Sequence, residues 1–249
     1  MELINYIGQT LWNTALFLFI GILPWLAVAF IMQLLSNSIR KSLAKIVGIQ
    51  GYIYLTCPGV MIHEIGHAVF CLIFRHKIVE MKLFSPDEDG TLGYVNHSYN
   101  PKSFYQRIGN FFIGTGPIWF GITVLWFISL LLLPECMQVH NSVGSVIGNF
   151  FSMNFWGRWE TYIWLYLALT VASHITLSPP DLAGSTDGGM AILTTALLGF
   201  LFLGWCGEWE SKIIEFLKCA FLSSLSIFSF VIILLFIFSI ICKMLSRRK

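Results

Sequence analysis

Long apolar runs separated by polar loops constrain this chain more than any other feature. Six segments approach the length of about 20 apolar residues that a helix needs to cross the hydrocarbon core of a bilayer. Charged residues make up only 11% of the chain, whereas about 25% is usual for a soluble domain. The sequence therefore predicts an all-α polytopic membrane protein with about six transmembrane helices. The predicted helices are Thr10–Leu35, Ile49–Phe74, Ile108–Leu133, Trp159–Leu177, Gly188–Trp205 and Ile213–Cys242.

A polar segment after the second predicted helix has the pattern of a β-hairpin. In Ile78–Phe84, apolar and polar residues alternate with the period of two that is typical of a strand. The turn signal Pro86–Gly90 follows, and Thr91–Asn96 is again strand-like. We therefore expect a membrane-associated β-hairpin directly after this helix.

The motif His63-Glu64-Ile65-Gly66-His67 lies inside the second predicted helix. Residues i and i+4 share one face of a helix, so both imidazoles can reach one metal ion. Zinc suits such a site, with three protein ligands and a water molecule. Zinc lowers the pKa of that water to about 7, and Glu64 can act as its general base. Ionisable groups at membrane depth are costly and usually functional, so the motif predicts a catalytic zinc site.

A third ligand has to come from another part of the chain. Asp181 and Asp187 lie between the fourth and fifth predicted helices, where Pro179 and Pro180 break the helix. Irregular backbone is tolerated at membrane depth where it lines a polar cavity. One of these two carboxylates is expected to bind the metal, although Asp187 before Gly188 could instead cap the fifth helix.

Two further features surround this candidate site. His174 lies before the proline break and could contact substrate or the transition-state oxyanion, or it could only pack inside its helix. The residues Gly114–Pro117 interrupt the third predicted helix, and small residues there allow helices to approach closely.

The chain is expected to form one membrane-embedded metallopeptidase domain, residues 1–249, with its core at about residues 49–198. Its net charge of +2 gives no indication of a nucleic-acid partner; the expected surroundings are a lipid bilayer. Nine Lys and Arg residues fall on the side with the termini and the hairpin, and six on the other. Positively charged loops favour the cytoplasm, so the active site is expected toward that side. The sequence indicates no oligomeric state.

Together these features resemble the site-2 protease family of intramembrane zinc metalloproteases. The resemblance depends on the HExxH motif in a membrane helix, the hairpin after it, Gly116-Pro117 in the next helix and the turn from Ser178 to Gly189. It implies an aspartate as the third zinc ligand. It also implies that an edge of the hairpin holds an unwound substrate segment.

The resemblance also bears on which aspartate is the ligand. Asp187-Gly188-Gly189 matches the commonest motif in the family, Asp-Gly-Gly. Asp181 matches a pattern of small, divergent members, in which a His is followed by Leu-Ser-Pro and Asp-Leu-x-Gly. The matching positions are His174, Leu177, Ser178, Pro179, Asp181, Leu182 and Gly184. We therefore favour Asp181 and keep Asp187 as the alternative.

The sequence thus predicts an intramembrane zinc metalloendopeptidase that cuts membrane-tethered proteins in or near their transmembrane segments. One alternative is a membrane zinc peptidase with a glutamate as third ligand, for which Glu208 or Glu210 would serve. Another is a non-catalytic, metal-binding membrane scaffold. The intact Glu64 favours a catalytic site over the scaffold.

Overall fold

A computed structural model describes residues 2–87, 90–133, 153–206 and 209–247. Within these ranges the chain is mostly helical, as predicted, with nine helices and one two-stranded sheet. The helices are α1 (Glu2–Gly21), α2 (Leu23–Leu55), α3 (Cys57–Ile73), α4 (Phe104–Gly114), α5 (Gly116–Leu132), α6 (Met153–Trp156), α7 (Trp159–His174), α8 (Pro179–Cys206) and α9 (Trp209–Ser246). The strands are β1 (Lys77–Lys82) and β2 (Tyr94–Ser98).

The helices support membrane association but do not reproduce six separate spans. In the described parts of the chain, one helical stretch, Ile4–Leu55, is long and apolar enough to cross a membrane. The number rises to three if each of two bent helix pairs counts as one span. These pairs are α4 with α5, bent by 60°, and α7 with Pro179–Thr186 of α8, bent by 59°.

Several helix boundaries differ from the predicted ones because helices begin at prolines. The predicted helix Ile49–Phe74 divides at Thr56, and α3 begins there with Pro58 in its first turn. A proline is tolerated in the first turn, where its missing N–H would have no helical partner. The fifth predicted helix begins at Pro179 and not at Gly188. Asp187 therefore lies inside α8, and the suggestion that it caps this helix is wrong.

The predicted β-hairpin is confirmed. β1 and β2 pair antiparallel, with Ile78 opposite His97 and Met81 opposite Val95, and the register shifts between Ile78 and Glu80. Beyond the strands, the pairing continues through the hydrogen bond from the Ser85 amide to the Leu92 carbonyl, at 2.7 Å. The hairpin therefore continues beyond its two strands as far as Ser85 and Leu92.

Helix α3 lies at the centre of the fold. It packs against α4, α5, α7 and both strands, so the HExxH motif faces several elements at once. The apolar core beside it is contributed by α2, α5, α7 and α9, and it holds the helices in place through burial of large side chains. The fully buried members of this core include Met32, Ile118, Leu125, Val171, Ile175, Val231 and Leu235.

Candidate metal centre

Helix α3 brings the two histidines of the HExxH motif together. His63 and His67 are one turn apart, and their Nε2 atoms are separated by 3.2 Å. The two rings cross at 74°, with centroids 4.9 Å apart. Glu64 and His67 are buried. The spacing therefore aims both Nε2 atoms at one point, as the sequence predicts.

Asp181 approaches the same point from the first turn of α8. Its Oδ1 lies 3.3 Å from His67 Nε2, and its Oδ2 lies 3.8 Å from His63 Nε2. The ligand atoms of the three residues all lie within 4.8 Å of one another. For Asp187 only the backbone is described, six residues farther along α8, which is a rise of about 9 Å along a helix. The structure thus brings Asp181, the favoured candidate, to the histidines.

The first turn of α8 fixes the Asp181 carboxylate. The amide of Ser178 donates to Asp181 Oδ2 at 2.8 Å, and the Asp181 amide donates to Ser178 Oγ at 3.3 Å. This reciprocal pair is a capping box, which satisfies amides that have no partner within the helix. The carboxylate is therefore held in one orientation by local structure before any metal is considered.

The hydrogen bonds of the histidines define which nitrogens remain for a ligand. His67 Nδ1 donates to the carbonyl of Ile113 at 2.7 Å, and His63 Nδ1 donates to the carbonyl of His174 at 2.8 Å. A carbonyl can only accept, so each Nδ1 carries the hydrogen, and the Nε2 of a neutral imidazole carries a lone pair. Two lone pairs and a carboxylate then face one another, an arrangement that attracts a cation.

The donor set fits zinc. Two imidazole nitrogens and one carboxylate oxygen match a catalytic zinc site, which keeps its fourth position for water. The ligand atoms of a tetrahedral ion with bonds of about 2.0–2.1 Å lie roughly 3.3–3.4 Å apart. The separations of 3.2 Å and 3.3 Å that His67 Nε2 makes with the other two residues agree with this geometry, whereas the separation of 3.8 Å between His63 Nε2 and Asp181 Oδ2 is longer. A His ligand that donates Nδ1–H to a carbonyl is also usual around metals.

A cavity of about 630 Å³ opens beside these residues. Its walls come from α3, α4, the segment before α8 and residues 90–97 of the hairpin. Glu64 lines this cavity, next to His63 in the chain. A Cβ atom on Gly93 would lie 2.8 Å from Glu64 Cγ, so only a glycine lets the hairpin come this close to the glutamate.

His174 contributes to the site in two ways. The residue lines the cavity, and its Nδ1 lies 3.0 Å from the Thr170 carbonyl. The substrate-binding role of this ring stays a prediction. Its backbone carbonyl orients His63, a role that side-chain reasoning from the sequence misses because any residue at this position has a carbonyl.

Asn110 and His97 also line the cavity and were missed by the sequence analysis. Asn110 is buried in α4, and a polar side chain within a predicted apolar helix is itself a signal that could have identified it. His97 lies on β2. Polar residues are ordinary in the alternating pattern of a strand, so this histidine gave no sign of a chemical role.

Glycines allow the helices around the site to touch through their backbones. A Cβ on Gly59 would collide with the carbonyl oxygen of Thr170 in α7, and one on Gly114 would collide with the carbonyl oxygen of Asp181. A Cβ on Gly116 would lie 2.8 Å from the carbonyl oxygen of Gly66. These contacts bring α3, α4, α5, α7 and α8 close enough for their polar groups to converge.

A second histidine pair ties the hairpin to the helices. His76 Nε2 donates to the carbonyl of Gln106 at 2.9 Å, and His76 Nδ1 lies 3.0 Å from His97 Nδ1. Since His76 already donates through Nε2, its neutral ring accepts the hydrogen bond from His97. Burial lowers the pKa of both residues below the usual value, and the neighbouring His76 lowers the pKa of His97 further.

The alternative site would take its third ligand from Glu208 or Glu210. Glu208 lies outside the described residues, and only the backbone of Glu210 is described, at the start of α9.

Comparison of the chain with family models, with characterised proteins and with solved structures finds no match in any of the three. The resemblance to site-2 proteases therefore stays a prediction that depends on the motifs alone.

Proposed function

We propose that this chain is an intramembrane zinc metalloendopeptidase, with a membrane-protein segment as its substrate. One observation carries the proposal. The Nε2 atoms of His63 and His67 converge with the Asp181 carboxylate beside a cavity that also contains Glu64. A structural zinc site is usually closed by four protein ligands, whereas a catalytic site has three and an open position. The three-residue set with an adjacent general base supports catalysis.

His63, His67 and Asp181 would hold the zinc ion, which supplies a Lewis acid that lowers the pKa of a bound water and polarises the scissile carbonyl. Glu64 would take a proton from the attacking water on its carboxylate and pass it to the leaving amide nitrogen. Asn110, which lines the cavity, would donate an amide hydrogen to the substrate carbonyl.

The hairpin supports a substrate that is extended rather than helical. Residues 90–97 form one wall of the cavity, and β1 is the one strand that pairs with β2 in the described residues. The second edge of β2 is thus available to pair with a further strand, which would expose the peptide bonds of an unwound transmembrane segment. The basic residues of the hairpin favour a cytoplasmic site.

The alternatives receive less support from the geometry. The position of Asp181 favours an aspartate over a glutamate as third ligand. A non-catalytic metal-binding scaffold would have no use for Glu64, yet this carboxylate lines the cavity next to the candidate ligands.

The test compares the purified wild-type chain with Glu64→Gln and His67→Ala. Zinc content is measured by atomic absorption, and cleavage of a mixture of synthetic single-span peptides in detergent is followed by mass spectrometry. Glu64→Gln should keep one zinc per chain and lose about 10²–10⁴-fold in rate, while His67→Ala should lose the zinc. Undiminished cleavage by Glu64→Gln would show that Glu64 is not the general base. Bound zinc without any wild-type cleavage would favour the scaffold.

A further inference from the structure

A helix break removes the helical hydrogen-bond donor of the carbonyl that orients His67. In a continuous α-helix, the carbonyl of residue i accepts from the N–H of residue i+4. For Ile113 that residue is Pro117, which has no N–H and lies in the first turn of α5 after the break at Thr115. The Ile113 oxygen is therefore left to accept the Nδ1–H of His67, at 2.7 Å.

The carbonyl that orients His63 loses its helical hydrogen-bond donor at the second helix break. For His174 the i+4 amide is that of Ser178, which donates instead to Asp181 Oδ2 at 2.8 Å. The His174 oxygen accepts the Nδ1–H of His63, at 2.8 Å. Because the Ser178 amide does not donate to the His174 carbonyl, it can orient the Asp181 carboxylate. The His174 carbonyl can then accept a hydrogen bond from the His63 imidazole.

We propose that Pro117 and the backbone amide of Ser178 are positioning groups of the metal centre. Pro117 acts on His67 through the Ile113 carbonyl. The Ser178 amide acts on Asp181 directly and on His63 through the His174 carbonyl. All three ligands are thus oriented by the backbone at two helix breaks. This inference depends on the proposed metal centre, but it does not depend on peptidase activity.

Pro117 also has an ordinary structural role, which the test has to separate from positioning. A Cβ on Gly66 would lie 3.0 Å from Pro117 Cα, so α3 and α5 touch at this proline. A substitution that changed the side chain alone would alter this packing. The informative change is therefore the presence or absence of an N–H at position 117.

Two variants of the full chain isolate that hydrogen. The first is Pro117→Ala, and in the second nonsense suppression introduces lactic acid at position 117, which replaces the amide by an ester. Both carry a methyl group, and at position 117 the backbone has an N–H in one and an oxygen in the other. The new N–H of Pro117→Ala should capture the Ile113 oxygen and lower Zn²⁺ affinity by about 10–100-fold, the usual effect of losing a group that orients a metal-bound His. The ester variant should keep wild-type affinity.

Affinity is measured by titrating Zn²⁺ against a competing chelator, and the d–d absorption of bound Co²⁺ reports the ligand geometry. A purely structural role would leave the Co²⁺ spectrum of folded protein unchanged. Pro24→Ala is the matched control, since Pro24 occupies the first turn of α2, and it should bind zinc like wild type. Equal affinities of the alanine and ester variants would overturn the role of Pro117.

If Pro117→Ala does not fold, the ester variant decides alone. Wild-type Zn²⁺ affinity of the ester would support the proposal, and weakened affinity would contradict it, because absence of the N–H would not suffice. A wild-type chain that binds no Zn²⁺ would instead remove the proposed metal centre itself.

The Ser178 amide is tested with a second pair. Ser178→Ala keeps the backbone amide and loses the Oγ cap, whereas the ester counterpart of serine at this position keeps Oγ and loses the amide donor. We expect a smaller loss of Zn²⁺ affinity for Ser178→Ala than for the ester, whose affinity should be about 10–100-fold weaker than wild type. The opposite order would assign the effect to the hydroxyl and contradict the proposal.

Discussion

The helices around α3 and the pair formed by α2 and α9 are held together by different kinds of contact. Around α3, backbones touch at glycines such as Gly59 and Gly66. Between α2 and α9, large side chains such as Met32 and Leu235 are fully buried, and Ser239 donates to Ser38 at 2.8 Å.

The difference reflects what each region has to do. A core of apolar side chains can rearrange after a substitution and keep its fold. A constellation of ligands has to be held within about 0.5 Å of its working geometry, and backbone contact at glycines leaves no rotamer to adjust. We therefore expect the region around α3 to be intolerant of small changes that the α2–α9 pair would accept.

The largest effect is expected from a single methyl group at Gly59. A Cβ there would collide with the Thr170 carbonyl oxygen, so Gly59→Ala should separate α3 from α7 and destabilise the fold by about 3 kcal/mol or more. Gly199→Ala in α8 is the control, because a Cβ there meets nothing within 4 Å. Thermal unfolding in detergent measures both variants. Equal melting temperatures would show that the close approach of α3 and α7 at Gly59 does not constrain the fold.

The next largest effect should follow removal of the Asp181 carboxylate. Asp181→Ala should weaken Zn²⁺ binding beyond the 10–100-fold that is usual for outer groups, because it removes a proposed ligand. Asp187→Ala should leave zinc in place. Chelator competition measures both. Loss of zinc from Asp187→Ala alone would transfer the ligand role to Asp187 and restore the commoner family pattern.

A different kind of effect is expected in the α2–α9 region. Leu235 is fully buried, and Leu235→Ala should reduce the free energy of unfolding by about 2–5 kcal/mol through the cavity it creates. Because the site does not depend on this contact, the folded variant should bind Zn²⁺ with wild-type affinity. A parallel loss of stability and metal affinity would mean that the two regions are not separate.

The smallest effect concerns the His76–His97 pair, which joins the hairpin to the region around α3. Both histidines have a lowered pKa in the folded chain, so the unfolded chain binds more protons below about pH 6.5. Their contribution to stability is therefore complete above that pH and declines as the pH falls through the lowered pKa values. His97→Gln should show a weaker decline than wild type when unfolding is measured with EDTA from about pH 7.5 to 5. An unchanged pH profile would contradict this role.

The parts of the site that were predictable are those that follow from helical spacing. Residues four apart must share a face, so His63 and His67 follow directly from the motif, and alternation was enough to predict the hairpin. The choice of Asp181 depended on a family pattern, because nothing in local sequence distinguishes a carboxylate in a capping box from one at a metal.

The breaks and bends were not predictable from apolar composition. Ile49–Phe74 is continuous in hydropathy, so the division at Thr56 is invisible until Pro58 is read as the first turn of a new helix. The contribution of the Ile113 carbonyl was also hidden, since a backbone group has no sequence signal of its own. It becomes apparent only when the missing N–H of Pro117 is matched to the acceptor four residues earlier.

The two carboxylate oxygens of Asp181 have different partners, and this has a thermodynamic consequence. One of its oxygens closes the first turn of α8 by accepting from the Ser178 amide, and the other faces His67. A cation that binds this carboxylate also favours the conformer that caps the helix, so metal occupancy and order at the start of α8 are linked functions. Zinc supply would then set how often this end of α8 frays, and amide hydrogen exchange there would slow as the ion concentration rises.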